Sequence, residues 1–251
     1  MDIFLINNGE KYTYADLVNS INSSNQYYPL YKSDDIFDYF SNLIKALSCN
    51  KPLVLLDSDI NPSEIDSLDE SKVNIAVPVE GTLFENGKEL VNAILHSSSE
   101  ITIFTSGTTG QPKKVVHTVA SLTRSVRTGE KYQKHIWAYA YNPTHMAGLQ
   151  VFFQALGNQN TLVNVFNKQR SDVYGLIAEH GITHISATPT FYRLLLPFER
   201  EYKSVVRVTL GGEKSDQHLY DNIRKIVPSA KINNVYASTE AWNAVTSVEV
   251  L

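Results

Sequence analysis

An α/β fold, a mostly parallel sheet flanked by helices, is predicted by three features of the 251-residue sequence. From Glu100 onward, short β-rich runs alternate with helical stretches at the spacing of crossover units. Apolar residues make up 43% and charged residues 19%, the balance of a globule with a sizeable core. No period of about 20 to 50 residues recurs, which excludes a solenoid.

The elements follow in order. Residues 1–95 read as a lead-in subdomain packed on the core, and 96–251 as the core itself. Phe4, Leu5 and Ile6, the turn Asn7-Asn8-Gly9, then Tyr12, Thr13 and Tyr14 predict a hairpin. Leu17, Val18 and Ile21 predict a helix over 15–21 with Thr13 as N-cap. Asp34 and Asp35 open a second helix carrying Ile36, Phe37, Tyr39, Phe40, Leu43, Ile44 and Leu47, which runs into an apolar strand at 52–56. The acidic stretch 57–74 reads as a surface segment, and its carboxylates as a solvated face, because nothing fixes their spacing for a metal. Beyond it, strands are predicted at 101–105, 136–141, 161–166, 183–188, 205–210, 231–236 and 245–250. Helices are predicted at 117–130, 147–156, 171–180, 190–197 and 215–227.

Composition excludes some classes of function. The chain carries 22 Lys plus Arg against 26 Asp plus Glu, a net charge of −4, so no large basic field exists to hold nucleic acid. Cys49 is the single cysteine, which rules out an internal disulfide or a cysteine-based zinc site and fits a reducing compartment. No apolar run reaches the roughly 18 residues of a membrane span. The start lacks the basic and long apolar stretches of a signal peptide, so a cytoplasmic location is expected.

One knot carries chemistry. Thr105, Ser106, Gly107, Thr108, Thr109 and Gly110 put hydroxyls and two glycines on one turn, and Pro112, Lys113 and Lys114 follow. Amides, hydroxyls and ammonium groups gathered in this way suit an oligophosphate. A plain strand-to-helix connection is the rival reading. No Gly-Lys-Ser/Thr closes the run, so it is not a Walker loop.

The order Ser106-Gly-Thr-Thr-Gly110, one residue, then Pro112-Lys113 resembles the phosphate-binding signature of the adenylate-forming, AMP-binding superfamily of acyl-CoA synthetases, aryl ligases, luciferases and peptide-synthetase adenylation domains. Other segments agree in family order. Lys11 to Leu17 is similar to the family's opening phrase. Asn142-Pro-Thr-His-Met-Ala-Gly148 resembles the segment that opens a helix beside the acyl pocket, which implies a gate or carboxylate neighbour at His145. A capping or packed histidine is the alternative there. Thr183 to Pro189 resembles a structural strand, with His184 as a strand residue. Val206 to Glu213 resembles the strand and turn against which the adenine packs, implying adenine contacts at Gly211, Gly212 and Glu213, with a simple tight turn as rival.

Asn233-Asn-Val-Tyr-Ala-Ser-Thr-Glu240 resembles the second signature. It implies that Tyr236 stacks on adenine, Asn234 hydrogen-bonds the exocyclic amine, Thr239 donates to the α-phosphate and Glu240 ligates Mg²⁺. Lys113, His145, Thr239 and Glu240 are thus the expected catalytic set.

Three departures stand out. Ala237 replaces the usual glycine, Lys114 a small residue, and Val119 takes the place of a common histidine. The family also continues past this signature with an aspartate for the ribose, a hinge and a small mobile domain bearing a lysine, so the resemblance implies the N-terminal core of a longer ligase, lacking the lid. The expected function is ATP- and Mg²⁺-dependent activation of a small carboxylic acid to an acyl-adenylate. The acyl group would then pass to coenzyme A or a carrier-protein thiol. Acid-pocket walls are expected among His145, Met146, Gly211, Ala237 and Trp242. Two rivals are a non-catalytic nucleotide-binding module and a hydrolase, the latter disfavoured because no Gly-x-Ser-x-Gly elbow is present.

Overall fold

The computed structural model describes residues 2–65, 68–105, 112–198, 200–236 and 246–249, with only the backbone of Tyr236 and 246–249. The chain forms two compact units, one of residues 1–133 and 142–159, the other of 134–141 and 160–251.

The first unit opens with the hairpin β1 (Ile3–Asn7) and β2 (Glu10–Thr13), in which Asn7 pairs with Glu10. Asn8 and Gly9 adopt φ of 51° and 86°, the left-handed pair that a two-residue hairpin turn matching strand twist requires. Helix α1 (Tyr14–Ser23) starts at a capping box: Thr13 Oγ1 accepts from the Asp16 amide at 3.1 Å, and the Asp16 carboxylate accepts from the Thr13 amide at 2.7 Å. Helix α2 (Ile36–Ser48) begins at Asp35, whose carboxylate accepts from the amides of Phe37 and Asp38. Its buried face carries Tyr39, Phe40, Leu43, Ile44 and Leu47.

The short strands β3 (Gln26–Tyr27) and β6 (Val77–Pro78) form an antiparallel pair. A second sheet has the order β4 (Leu30–Tyr31), β5 (Leu53–Leu55), β7 (Glu100–Thr105), β8 (Lys113–Thr118). It is parallel as far as β7 and antiparallel between β7 and β8. Helices α3 (Gly87–Leu95), α4 (Val119–Thr123) and α5 (Met146–Leu156) complete the unit. Phe40 of α2 stacks on Phe152 of α5 at 4.7 Å and meets Phe4 of β1 edge-on at 6.0 Å, which ties three elements into one core.

Two readings change here. The helix expected at 117–130 shrinks to the five residues of α4, with its first two positions, His117 and Thr118, ending strand β8. Val119, Ser121 and Thr123 are poor helix formers, and the Thr123 hydroxyl donates back to the Val119 carbonyl at 2.9 Å. The segment 57–74 is only partly a surface segment: Ile65 is buried with Leu30 and Leu56, and Ile60, Leu68 and Val73 pack against them.

In the second unit, β9 (Ile136–Tyr139), β10 (Thr161–Asn164), β11 (His184–Ala187), β12 (Arg207–Gly211) and β13 (Lys231–Tyr236) are parallel, in the order β10-β9-β11-β12-β13. The strand β14 (Thr246–Glu249) runs antiparallel beside β13. Both faces of such strands are covered, so they read as near-continuous apolar runs. Ala138, Tyr139, Leu162, Val163, Ala187, Val208 and Leu210 are all fully buried. Helices α6 (Arg170–His180), α7 (Pro189–Leu194) and α8 (Gln217–Ile226) flank the sheet. The Tyr192 hydroxyl donates to the carbonyls of Ile185 and Thr209 at 3.0 and 3.2 Å, which bridges β11 and β12.

Candidate functional site

In the first unit the hydroxyl-rich loop leaves β7 and returns on β8. The two strands pair residue for residue from Glu100↔Thr118 to Thr105↔Lys113, so the loop's stems are set by six consecutive pairs. Thr105 is half-buried and Lys113 exposed at the mouth of this hairpin. Ser106, Gly107, Thr108, Thr109 and Gly110 lie outside the described residues. Further along β8, His117 is buried with its Nε2 lacking a hydrogen-bond partner among the described residues, and burial lowers its pKa.

His145 is the N-cap residue of α5, yet its side chain makes no capping hydrogen bond and is 57% exposed. Its Nε2 lies 3.9 Å from the Asp57 carboxylate, which also accepts from the Asn142 side-chain amide. Asn142 in turn accepts from the Thr144 amide and hydroxyl at 2.9 and 2.8 Å, and Tyr39 of α2 donates to the Pro143 carbonyl at 3.1 Å. The turn 142–145 is thus held from two sides. Asp57 escaped sequence reasoning because its partner is 85 positions away, and only the end of an apolar strand at Leu56 marked the place.

In the second unit, Gly211 closes β12 and Gly212 follows with φ of 84°, a conformation that favours glycine. Among the described residues, a Cβ on Gly212 would meet nothing within 4 Å, so its main chain is open to them. Gly211 is different: its Cβ would stand 3.5 Å from the Tyr141 hydroxyl, so a side chain does intervene on that face. Glu213 accepts from the Thr190 amide at 3.0 Å and the Thr190 hydroxyl at 2.6 Å, which fastens the turn to the start of α7. Burial, together with the charge of Glu213, pushes the Tyr141 phenol up to about 12 despite a hydrogen bond to Ser186.

Asn234 on β13 stands opposite Leu210, the residue before Gly211, and its Oδ1 is buried without a partner among the described residues. Tyr236 ends that strand, in register with Thr246. Thr239 and Glu240, with Ala237 and Trp242, lie outside the described residues. Among the described residues no group of three His, Cys, Asp or Glu side chains could hold a metal ion. No described helix is long and apolar enough to cross a membrane.

His184 is a buried strand residue of the same sheet, stacked on His135 at 4.0 Å and against Trp137 at 4.6 Å.

A family model described as AMP-binding enzyme matches residues 45–250. The chain belongs to this family. Among curated relatives, the polyketide synthase-nonribosomal peptide synthetase ACE1 of Pyricularia oryzae is 30% identical over 208 residues, covering 77% of this chain and 5% of that protein. Among solved structures, O-succinylbenzoate coenzyme A synthetase (MenE) from Bacillus subtilis, in complex with ATP and magnesium ion, aligns with a TM-score of 0.73 at 18% identity, over 99% of this chain and 59% of MenE. The NpsA N-terminal subdomain of Klebsiella oxytoca, in complex with 3-hydroxyanthranilyl-AMSN, aligns with a TM-score of 0.72 at 13% identity, over 100% of this chain and 72% of that one. The fold is therefore that of the N-terminal domain of adenylate-forming enzymes. The AMP-binding family chain spans about a twentieth of the length of the synthetase and under two thirds of MenE.

Proposed function

We propose that the protein activates a carboxylic acid with ATP to an acyl-adenylate and pyrophosphate and then forms a thioester, with coenzyme A as the acceptor thiol. Residues 96–251 would carry the nucleotide site, and 1–95 would be the lead-in subdomain packed on it. The observation that carries the reading is Asn234. A buried amide oxygen without a partner costs about 1–3 kcal/mol, and an adenine exocyclic amine is a donor of the kind it lacks. The open main chain at Gly212, just past the end of the strand that pairs with Asn234's, supports a flat ring lying there, with Tyr236 as the stacking partner.

The reaction joins two anions, the acid's carboxylate and the α-phosphate. Its barrier falls when donors neutralise charge and hold the reactants in line. Thr105 to Gly110 and Lys113 would supply hydroxyls, amides and one ammonium to the phosphates, Thr239 would donate to the α-phosphate, and His145 would stand beside the acid. Mg²⁺, when bound, adds positive charge at the phosphate oxygens, with Glu240 as its ligand from this chain. MenE in complex with ATP and magnesium ion, a protein of the same fold, supports that choice of cofactor.

Calorimetry of the protein with ATP, adenosine and inorganic pyrophosphate tests the site. Saturable binding of ATP and adenosine, weakened about tenfold for both by Asn234→Ala, is expected. Absence of any adenosine binding would sink the reading. Acid-dependent exchange of labelled pyrophosphate into ATP tests the chemistry.

A further inference from the structure

The carboxyl ends of parallel strands are where α/β proteins gather ligand groups, and here one buried hydroxyl stands in that position. Tyr141 lies two residues beyond β9 and is only 8% exposed. Its hydroxyl shares a hydrogen bond with Ser186 of β11 and lies 3.5 Å from where a Cβ on Gly211 would be, so it walls off the space beside this glycine at van der Waals distance. The neighbouring Gly212 has nothing comparable within 4 Å among the described residues. The two glycines of one turn therefore face different surroundings: open space at Gly212, a phenol at Gly211.

Tyr139, two positions earlier, is fully buried within the strand. Tyr141 lies past the strand's end, close enough to the Gly211–Glu213 turn to feel the Glu213 charge. Swinging its ring away would break the Ser186 hydrogen bond and expose apolar surface, so the barrier is a firm one.

We propose that Tyr141 is a specificity-determining residue that closes the acid side of the site at Gly211, so that the protein takes a compact aliphatic acid and rejects aryl and long-chain acids. The proposal rests on the adenylation reading above. With Gly212 and Asn234 assigned to the adenine, Gly211 is the glycine left to face the acid, and Tyr141 takes up the room a larger acyl group would need.

The test uses three probes in calorimetry: 5′-O-sulfamoyladenosine, its N-acetyl derivative and its N-benzoyl derivative. The parent protein is expected to bind the acetyl probe at least about tenfold more tightly than the benzoyl probe, because overfilling a closed pocket is costly. Tyr141→Ala should erase that preference while changing the affinity for unacylated sulfamoyladenosine less than about twofold. Tyr141→Phe keeps the ring and removes only the hydroxyl, so it preserves the packing and should move the acetyl-to-benzoyl ratio part of the way.

An unchanged ratio in both variants, with sulfamoyladenosine still bound, would overturn the role of Tyr141 and leave the adenylation reading standing. Equal weakening of all three probes would assign Tyr141 to the nucleotide instead, and so also overturn it. Failure of the parent protein to bind sulfamoyladenosine would remove the adenylation reading and the proposal together.

Discussion

His184 makes the second unit sensitive to acid. The residue is 5% exposed on β11, its ring stacked on His135 and tilted against Trp137, with Arg207 directly across on β12. Burial first, then the charges of His135 and Arg207, lower its pKa from 6.5 to about 3. The unfolded chain takes up this proton near the ordinary histidine value, whereas the folded protein refuses it until near pH 3. The stability that depends on a neutral His184 is therefore complete above that ordinary value and is lost progressively as pH falls towards 3. At 1.36 kcal/mol per pH unit, the loss between about pH 7.5 and about pH 5 is at most about 2 kcal/mol. His184→Phe keeps an aromatic ring in the stack and removes the titrating nitrogens. Urea unfolding followed by circular dichroism at both pH values should show the parent losing about 2 kcal/mol more than the variant. Equal losses in the two proteins would refute the argument, because another group would then carry the acid sensitivity.

Other substitutions test separate parts of the structure. Tyr192→Phe leaves the Ile185 and Thr209 carbonyls without their shared donor and should cost about 1–3 kcal/mol in urea unfolding. Asp57→Ala strips the Asn142 amide of its acceptor, so a loss of about 1–2 kcal/mol and faster proteolysis within the 142–145 turn are expected; an unchanged digestion pattern would count against the latch. Phe40→Ala opens a cavity against Phe4 and Phe152 and should destabilise the first unit by about 3–5 kcal/mol. Glu240→Gln should raise the Mg²⁺ concentration needed for ATP binding about tenfold and leave adenosine binding unchanged, as read by calorimetry at graded Mg²⁺.

Much of the fold is legible because local rules and tertiary packing agree. The Asn-Asn-Gly turn, the Thr13 and Asp35 caps and the alternation after Glu100 each point to an element that forms within a few residues of the expected place. Strands β3, β4 and β6 are two residues long, too short to carry a periodic signal, and exist only because a partner strand from elsewhere meets them. Strand β8 carries no turn or alternation signal of its own, and although a helix does begin after Thr118, nothing in the composition announces that it stops at Thr123. In the site, the motifs mark glycines, hydroxyls and carboxylates by type and order. They say nothing of what each side chain touches. That Glu213 is engaged by Thr190, that Tyr141 lies over Gly211 and that Asp57 reaches Asn142 are contacts between residues 23 to 85 positions apart, and only folding reveals them.

The pairing of β7 with β8 also bears on engineering. Thr105 and Lys113 sit opposite one another, so the intervening segment begins and ends within one inter-strand spacing, about 5 Å. Its boundaries are anchored by backbone hydrogen bonds that do not depend on what lies between them. The segment can accordingly be exchanged as a cassette for its counterpart in another member of the family, provided its length is kept, and any change in behaviour can be ascribed to the transplanted residues and not to a slipped register.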